Sequence, residues 1–435
     1  MTALLSNKLI LIGLTIILTL LLSIFLIRKY KLSRYQVFVF ILLVLFWSAI
    51  NIIRAYRKNY ATGTIADGGL GLDGAAAATM AAAYGLISIF VRLPVFALSD
   101  FFKSRKFFIA LALLFVFGSS IMVIIDPSYE SLYWSSLALG VGASLLSLFN
   151  VMFAETFSAS QAIFSVSILS VAPLLAEFLM SPLQYLATSN KPIDYGFMWT
   201  ISAVLSALAL MFLFFVKDNK KPTRNFTWVN VKKALSNPYF LLLSLLGIVV
   251  SFVRFASSGS NMNNFAKTEL ISMSPLLIAY VELVYSLSQL VAGVLVGIIL
   301  KKKIGVKNTL ILGLSLSGIF TLLASSVTHP TTLFWLNALN GFGYGLTYNV
   351  LLGMAMQPFA VGMREVTMGI YQTFFAVGIY YGDKIYALLA GLVDPSLSAG
   401  ERYQTVFGWL SVVSVCAVIF VLLVFNKRSQ AYLEA

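Results

Sequence analysis

The chain has 435 residues, of which 60% are hydrophobic and only 11% are charged, and its mean hydropathy is +0.92. A soluble globular domain is roughly half apolar and about a quarter charged, so the composition excludes that class and predicts a membrane protein. The net charge of +14 could suggest a nucleic-acid partner. The lysines and arginines instead fall in short clusters between apolar segments, so we expect no nucleic-acid binding.

The apolar residues form long segments, and about 20 of them suffice to cross a bilayer as a helix. Thirteen such segments follow one another, which predicts an all-α polytopic membrane protein. The predicted spans cover residues 9–27, 36–60, 75–99, 107–125, 132–155, 160–188, 195–216, 239–264, 274–300, 308–327, 332–356, 366–392 and 403–426.

Basic residues cluster after the first, third, seventh, ninth and last spans, and the loops between these clusters contain few of them. This alternation predicts that the clusters lie on the cytoplasmic side of a cell membrane, with the N-terminus outside and the C-terminus inside. The clusters are Arg28, Lys29, Lys31 and Arg34; Lys103, Arg105 and Lys106; Lys217, Lys220, Lys221, Arg224, Lys232 and Lys233; Lys301, Lys302, Lys303 and Lys307; and Lys427 and Arg428.

The first span differs from a cleaved signal peptide. Its apolar core is longer, its positive charges follow the core, and no small-residue cleavage site comes after it, so we expect a retained extra helix. The single cysteine, Cys416, excludes an intrachain disulfide. The sequence has no metal-ligand cluster, phosphate-binding glycine loop or nucleophile beside a histidine, so we expect no enzyme, no cofactor and no ATP-driven pump.

Two short motifs occur twice at one spacing. Gly140 and Gly142 recur as Gly341 and Gly343, 201 residues later (341 − 140), and the loop 103–106 recurs as 304–307. Such recurrence predicts two halves of six spans each in the same orientation, an arrangement known from transporters. We expect an extra helix over 1–35, an N-terminal bundle over 36–216, a cytoplasmic linker over 217–238 and a C-terminal bundle with a short tail over 239–435. Alternating apolar and basic residues in the linker predict a short helix at the membrane interface.

Twelve core spans, a basic central loop and the paired loop motif resemble the major facilitator superfamily. Its signature between the second and third core helices is a glycine and an acid followed by Gly-Arg-Lys. This chain has Asp100, Arg105 and Lys106 there but Ser104 in place of the glycine, whereas the second copy keeps Gly305 and lacks the acid. The resemblance implies the major facilitator fold of two six-helix bundles, here with one extra N-terminal transmembrane helix, and transport by alternating access.

Within that superfamily, the segments Tyr56-Arg57-Lys58-Asn59-Tyr60 and Val253-Arg254-Phe255 are similar to the organophosphate:phosphate antiporters. In that family, one arginine of the first core helix and one of the seventh hold phosphate, which implies these roles for Arg57 and Arg254. The family's basic residue eight positions before the loop acid corresponds to Arg92. The family's histidine in the fifth core helix has no counterpart here, so its role would be absent or moved to Glu177.

Charged residues inside spans are candidates for function because an unpaired charge in lipid is costly. Guanidinium groups suit phosphate because they stay charged and present paired donors in one plane. We therefore expect Arg57 and Arg254, one from each half, to clamp an anion. Further expected substrate contacts are Lys58, Arg92, Tyr60 and Tyr348; expected counter-ions or coupling groups are Glu282, Glu177 and Asp383; and an expected cytoplasmic gate comprises Asp100, Arg105 and Lys106.

Each assignment has a plainer alternative. Arg57 could join Arg54 and Lys58 in a cluster that reaches water at the outer interface. Arg254 could be a structural ion-pair partner of Glu282 or Glu177, and Arg92 could pair with an acid to brace the helices. For Glu177 and Asp383, a pairing that only stabilises the bundle is as good an interpretation as transport.

The sequence thus predicts a monomeric secondary transporter of a small anionic, phosphorylated metabolite, exchanged for inorganic phosphate or coupled to ions. Its partners would be that small molecule, phosphate or protons, and the lipid bilayer. A second hypothesis is a proton-driven exporter of amphipathic compounds, in which Glu177 or Asp383 takes the proton. A third is a membrane scaffold without transport, whose extra helix docks a partner.

Overall fold

The computed structural model describes residues 8–29, 31–154, 171–217, 226–356, 359, 363–389 and 392–425. These residues form helices and connecting loops, with no strand among them. The helices are α1 (Lys8–Lys29), α2 (Arg34–Arg54), α3 (Arg57–Thr62), α4 (Gly74–Phe102), α5 (Arg105–Ile125), α6 (Tyr129–Ala154), α7 (Ala172–Thr188), α8 (Tyr195–Phe214), α9 (Trp228–Leu235), α10 (Pro238–Ala256), α11 (Ser260–Lys267), α12 (Pro275–Leu295), α13 (Gly305–Ala324), α14 (Pro330–Met356), α15 (Arg364–Leu388) and α16 (Ala399–Val424).

Every predicted span coincides with one of these helices or with a pair of them, although part of the span 160–188 lies outside the described residues. Nine helical segments of the described chain are long and apolar enough to cross a membrane. The polar residues that precede the helices explain where several begin, because their side chains accept hydrogen bonds from otherwise free backbone N–H groups. Ser33 and Ser398 form capping boxes with Gln36 and Glu401.

Two core helices are broken at matching places in the two halves. The first is interrupted at Ala55 and Tyr56, between α2 and α3, and the seventh between α10 and α11. At the second break Gly259 has φ +58° and ψ −130°, a backbone conformation that residues with a Cβ rarely adopt. Short helices that follow such breaks direct additional backbone and side-chain polar groups toward the interior of the protein.

The helices form two six-helix bundles plus the extra N-terminal helix α1. The two bundles meet along two seams, where α4 packs against α15 and α7 packs against α12. The loops that contain the described basic clusters all lie at one end of the bundles, here called the basic side. The loop between Thr62 and α4 and the loop before α12 lie at the other end, here called the opposite side.

Glycines allow the close helix contacts inside each bundle. A Cβ at Gly140 would overlap the carbonyl oxygen of Tyr84, and one at Gly341 would overlap the carbonyl oxygen of Tyr285. The two glycines are 201 residues apart (341 − 140), and so are the two tyrosines (285 − 84). The repeat seen in the sequence is therefore also a repeat of helix packing. The amphipathic linker helix is also present, as α9, with Val231 and Ala234 buried and Trp228 exposed.

Candidate functional site along the bundle interface

Charged side chains group at three levels of the bundle interface. The opposite-side level contains Lys58 and Asp383, the middle level contains the glutamates with their arginines, and the basic-side level contains Arg92. The buried charged residues of the described chain at these levels are Arg57, Lys58, Arg92, Glu177, Glu282 and Asp383. Arg54 and Arg254 are half-buried and pair with the glutamates, and the half-buried Lys384 follows Asp383 and donates to Tyr380.

Arg254 occupies the middle level, near the end of α10. One of its terminal nitrogens lies 3.5 Å from a carboxylate oxygen of Glu282, and its guanidinium carbon lies 3.9 Å from the centre of the Tyr285 ring. The other carboxylate oxygen of Glu282 accepts a hydrogen bond of 2.6 Å from the backbone N–H of Gly259. Glu282 is thus held firmly by the helix break, whereas its contact with Arg254 is long for a charge-assisted hydrogen bond.

Arg57 begins α3 and occupies the corresponding place in the N-terminal half. Its guanidinium lies over the ring of Tyr84, 5.3 Å from the centre, as that of Arg254 lies over Tyr285. The guanidinium of Arg57 donates a hydrogen bond of 2.8 Å to the hydroxyl of Ser136 and one of 3.5 Å to the carbonyl oxygen of Ala81. Ala81 is the residue that the 201-residue repeat matches to Glu282 (282 − 81). The two arginines therefore have matching ring partners, but only one of them has a carboxylate.

The structure does not join the two predicted clamp residues directly. Arg57 and Arg254 hold matching places in the two halves of the sequence, and in the fold they have matching ring partners. Among the described residues, however, no contact links their side chains. Arg57 is 2% exposed and turned into its own bundle. The alternative interpretation, in which the Arg57 side chain reaches water at the outer interface, is therefore wrong for this conformation, because the side chain is buried among helices.

Arg54, at the end of α2, belongs to the middle level, and the sequence reasoning assigned it no binding role. One of its nitrogens lies 3.8 Å from a carboxylate oxygen of Glu177 on α7, and its side chain is 21% exposed. Glu177 also interacts electrostatically with Glu282 and Arg254 across the seam between α7 and α12. A signal was available, because Arg54 precedes Arg254 by 200 residues (254 − 54), close to the spacing of the repeat.

At the opposite-side level, Lys58 of α3 reaches into the other bundle. Its ammonium donates 2.5 Å to the side-chain oxygen of Asn261 and 2.6 Å to the backbone carbonyl oxygen of Asp383. One carboxylate oxygen of Asp383 is buried without a hydrogen-bond partner in the described structure. Lys58 thus links α3 to α11 and α15, which is a contact between bundles.

At the basic-side level, Arg92 of α4 makes the second link between the two bundles. One of its terminal nitrogens donates 2.6 Å to the side-chain oxygen of Gln372 and 2.8 Å to the backbone carbonyl oxygen of the same residue. Gln372 in turn donates 3.3 Å to the hydroxyl of Tyr348. The ring of Tyr348 stacks on that of Tyr344, 5.4 Å away, and Tyr344 borders Arg254. Gln372, which the sequence reasoning missed, therefore connects two predicted residues.

The remaining predicted residues lie elsewhere. Tyr60 stacks on Tyr195, with ring centres 4.6 Å apart, and is 7% exposed, so it packs within the N-terminal bundle and does not face the middle level. Lys106 donates 2.9 Å to the backbone carbonyl oxygens of Phe214 and Val216 at the end of α8. Because α5 and α8 belong to one bundle, this contact braces the bundle internally.

The other two residues of the expected cytoplasmic gate are less informative. The side chain of Asp100 lies outside the described part of the structure, and Arg105 begins α5. The described residues contain no group of three histidine, cysteine, aspartate or glutamate side chains that could hold a metal ion.

A cavity of about 10 Å³, about the room that one water molecule needs, adjoins Arg254 within the C-terminal bundle. Its wall combines apolar side chains with one guanidinium and with hydroxyl and amide groups, so an anion could enter only if the cavity widened. The polar or charged residues that line it are Arg254, Ser317, Asn340, Tyr344, Thr347 and Ser414.

Charged side chains join the two bundles at the opposite-side and basic-side levels, and the ion pairs of the middle level lie inside each bundle. Two bundles with charged residues along their interface are typical of a secondary transporter. The sequence matches the family model of the Major Facilitator Superfamily over residues 35–268 and 248–433. The chain belongs to the Major Facilitator Superfamily, a family of transporters. It is a multi-pass membrane protein and a secondary transporter, not an enzyme.

Solved structures share the fold at low sequence identity. A POT family transporter in complex with 5-aminolevulinic acid superposes with a TM-score of 0.75 and 14% identity, covering 91% of this chain and 96% of that one. The nucleoside transporter NupG gives a TM-score of 0.68 and 15% identity, covering 91% and 100%. A peptide transporter POT mutant in complex with sulfate gives 0.69 and 16%, covering 89% and 94%. A search of curated protein sequences finds no significant match.

Proposed function

We propose that the protein transports a small anionic, phosphorylated metabolite across the cell membrane by alternating access, in exchange for inorganic phosphate or coupled to an ion. The basic side would be cytoplasmic, as the distribution of lysine and arginine favours. The finer resemblance to the organophosphate:phosphate antiporters belongs to this proposal.

The observation that carries the proposal is the charge of the interior. At the described interface, three buried carboxylates face three buried cations and the two arginines that pair with the glutamates, a formal excess of two positive charges, to which the half-buried Lys384 adds a third. Buried charges in a membrane protein normally pair with one another or line a path for a charged cargo. A dianion such as a phosphate monoester would offset most of this excess, whereas a cation or a neutral compound would not.

The partners of individual cations support the same conclusion. Arg57, Lys58 and Arg92 donate only to hydroxyl, amide or backbone carbonyl oxygens in their hydrogen bonds. Arg254 has a carboxylate, but at 3.5 Å, so a substrate phosphate that binds two of its N–H groups can replace it. Guanidinium groups keep their proton in proteins, so these arginines present a permanent positive charge to the cargo.

In the proposed cycle, Arg254 binds the anion at the middle level and Arg54 approaches from the other bundle. Glu282 and Glu177 are the resting partners of these two arginines and take them back when the anion leaves. Lys58 closes the opposite side and Arg92 closes the basic side, so release on either face requires one of these two contacts to break. Arg57 contributes positive potential from within its bundle and does not need to touch the cargo.

A second candidate is a proton-coupled exporter of amphipathic compounds, and one observation favours it. The unpartnered carboxylate oxygen of Asp383 is the kind of buried group that a proton would satisfy. The same group would equally serve proton symport of an anion, so coupling and cargo need separate experiments. The related structures do not decide between them, because their named ligands are chemically diverse and their identity with this chain is 16% or less.

Exchange in proteoliposomes tests the proposal. Vesicles loaded with phosphate should take up labelled phosphate or a sugar phosphate, and Arg254→Ala should reduce the uptake at least about 100-fold, since it removes a bidentate charged contact. Arg402→Ala is the matched control, because Arg402 is exposed and donates only to loop carbonyls. Full anion exchange in Arg254→Ala, or uptake of lipophilic cations that this substitution leaves unchanged, would reject the anion clamp.

A further inference from the structure

The extra helix α1 lies across the seam between the two bundles. It packs along α7 of the N-terminal bundle, and its Lys8 donates 2.9 Å to the side-chain oxygen of Asn190 in the loop after α7. On the same helix, the hydroxyl of Thr15 lies 3.0 Å from the hydroxyl of Tyr280 on α12 of the C-terminal bundle. One helix is therefore anchored to both moving bodies.

The burial pattern of α1 points to the same seam. Thr15 and Thr19, one helical turn apart, are 7% and 2% exposed, whereas Leu18 and Leu21 on the outer face are 58% exposed each. A polar stripe turned inward and an apolar face turned outward indicate a helix docked on protein on one side and on lipid on the other. The stripe meets α7 and, through Thr15, also α12.

Both anchors of α1 lie toward the opposite side. Thr15 follows the start of α1 by seven residues, or roughly 10 Å, and Tyr280 follows the start of α12 by five, or roughly 8 Å. Asn190 lies in the opposite-side loop itself. Opening of the transporter toward the opposite side must separate the ends of α7 and α12 there, and this movement would pull Thr15 and Tyr280 apart.

We propose that α1 is an intramolecular strap that stabilises the conformation closed on the opposite side, and that the bond between Thr15 and Tyr280 is its switchable anchor. The strap acts on the movement of the bundles and not on the cargo, so it does not rest on the substrate being an anion. Loss of the anchor should raise the population open on the opposite side by roughly three- to twentyfold, the range expected for one interhelical hydrogen bond in a membrane.

Distance measurements between spin labels test the strap without any substrate. In a Cys416→Ala background, labels at Ala75→Cys and Ala399→Cys report the opposite-side separation of the bundles, because both residues are exposed and begin or adjoin opposite-side helix ends. Thr15→Val and Tyr280→Phe should each increase the long-distance population, and the double variant should add nothing to either. Thr15→Val replaces the hydroxyl by a methyl group of similar size, which also removes its hydrogen bond to the carbonyl oxygen of Leu11, and Tyr280→Phe removes the hydroxyl and keeps the ring.

Thr19→Val is the matched control, because the hydroxyl of Thr19 donates only to the carbonyl of Thr15 within α1. Its distance distribution should equal that of the wild type. Deletion of residues 1–29 should increase the long-distance population beyond the single variants. Unchanged distributions in Thr15→Val and Tyr280→Phe would overturn the proposal even if the deletion variant failed to fold. Failed phosphate exchange with shifted distances would reject the anion hypothesis and leave the strap intact.

Discussion

The ammonium of Lys58 is held by the backbone carbonyl of Asp383 and the side chain of Asn261, and both acceptors belong to the other bundle. At the other end of the interface, Arg92 binds Gln372 across the same boundary. The middle level with its arginines and glutamates is thus enclosed between two contacts that join the bundles. Both contacts use a cation from the N-terminal half and neutral acceptors from the C-terminal half.

Replacement of Lys58 by methionine should open the opposite side. Two buried acceptors lose their donor, which costs about 1–3 kcal/mol each at most, so the melting temperature should fall and opposite-side cysteine probes should label faster. Lys384→Met is the control, because Lys384 donates only to Tyr380 on its own helix. Equal labelling rates in the two variants would contradict a bridging role for Lys58.

Replacement of Gln372 by glutamate should strengthen the basic-side contact. The hydrogen bond from the charged guanidinium of Arg92 to a neutral amide oxygen becomes a buried ion pair of the same shape, so the protein should melt at a higher temperature and transport more slowly. Gln372→Met should have the reverse effect on the melting temperature, because Arg92 would lose its side-chain acceptor. If Gln372→Glu accelerated turnover, the contact could not be a gate that must break during transport.

Replacement of Glu282 by glutamine should free Arg254 while the acceptor for the Gly259 N–H is retained. Phosphate should then bind roughly tenfold more tightly, since about 1.4 kcal/mol of competing attraction is removed, and its release should slow. Calorimetric titration of the purified protein with phosphate measures the change. The exposed Glu269→Gln serves as control, and an unaltered Kd in Glu282→Gln would separate Glu282 from the anion site.

Alanine at Gly341 should destabilise the C-terminal bundle, because its Cβ would overlap the carbonyl oxygen of Tyr285. Overpacking of this kind typically costs about 1–3 kcal/mol. Gly353→Ala, on the same helix α14, meets no atom within 4 Å and should be tolerated. Thermal unfolding of the two variants in one detergent makes the comparison, and equal melting temperatures would show that the helices can separate at no cost.

The ion pair between Asp67 and Lys191, which joins two loops, should make a small contribution to stability that is lost in acid. The hydrogen bond from Lys191, 2.6 Å from a carboxylate oxygen, lowers the pKa of Asp67 below its ordinary value of 3.8. A lowered folded-state pKa stabilises above the ordinary value and loses this effect as the pH falls below it. The difference in melting temperature between wild type and Asp67→Asn should therefore shrink below about pH 3.8.

A double variant checks the origin of this effect. In a Lys191→Gln background, Asp67→Asn should leave the pH dependence unchanged, because the donor responsible for the shift is absent. A persisting difference between pH 6 and pH 3 would assign the effect to other partners of Asp67, such as the hydroxyl of Thr64.

The sequence alone predicted the spans and the repeat, because both are written in local composition. Apolar runs of bilayer length form helices wherever they occur, since lipid offers backbone groups no other partner. Gly140 and Gly341 recur at the repeat spacing because each lies against a neighbouring helix, at Tyr84 and at Tyr285, where a side chain would not fit. The family followed from these features, whereas the substrate class stays a proposal.

The tertiary structure decided which charges meet. Arg54 and Arg57 are three residues apart, and nothing in their spacing reveals that the helix breaks between them and sends one toward Glu177 and the other toward Ser136. Gln372 carries no charge, so no charge pattern could identify it as the partner of Arg92. Contacts between bundles join residues about 200 to 300 positions apart, and only the packing of the two halves brings such residues within hydrogen-bond distance.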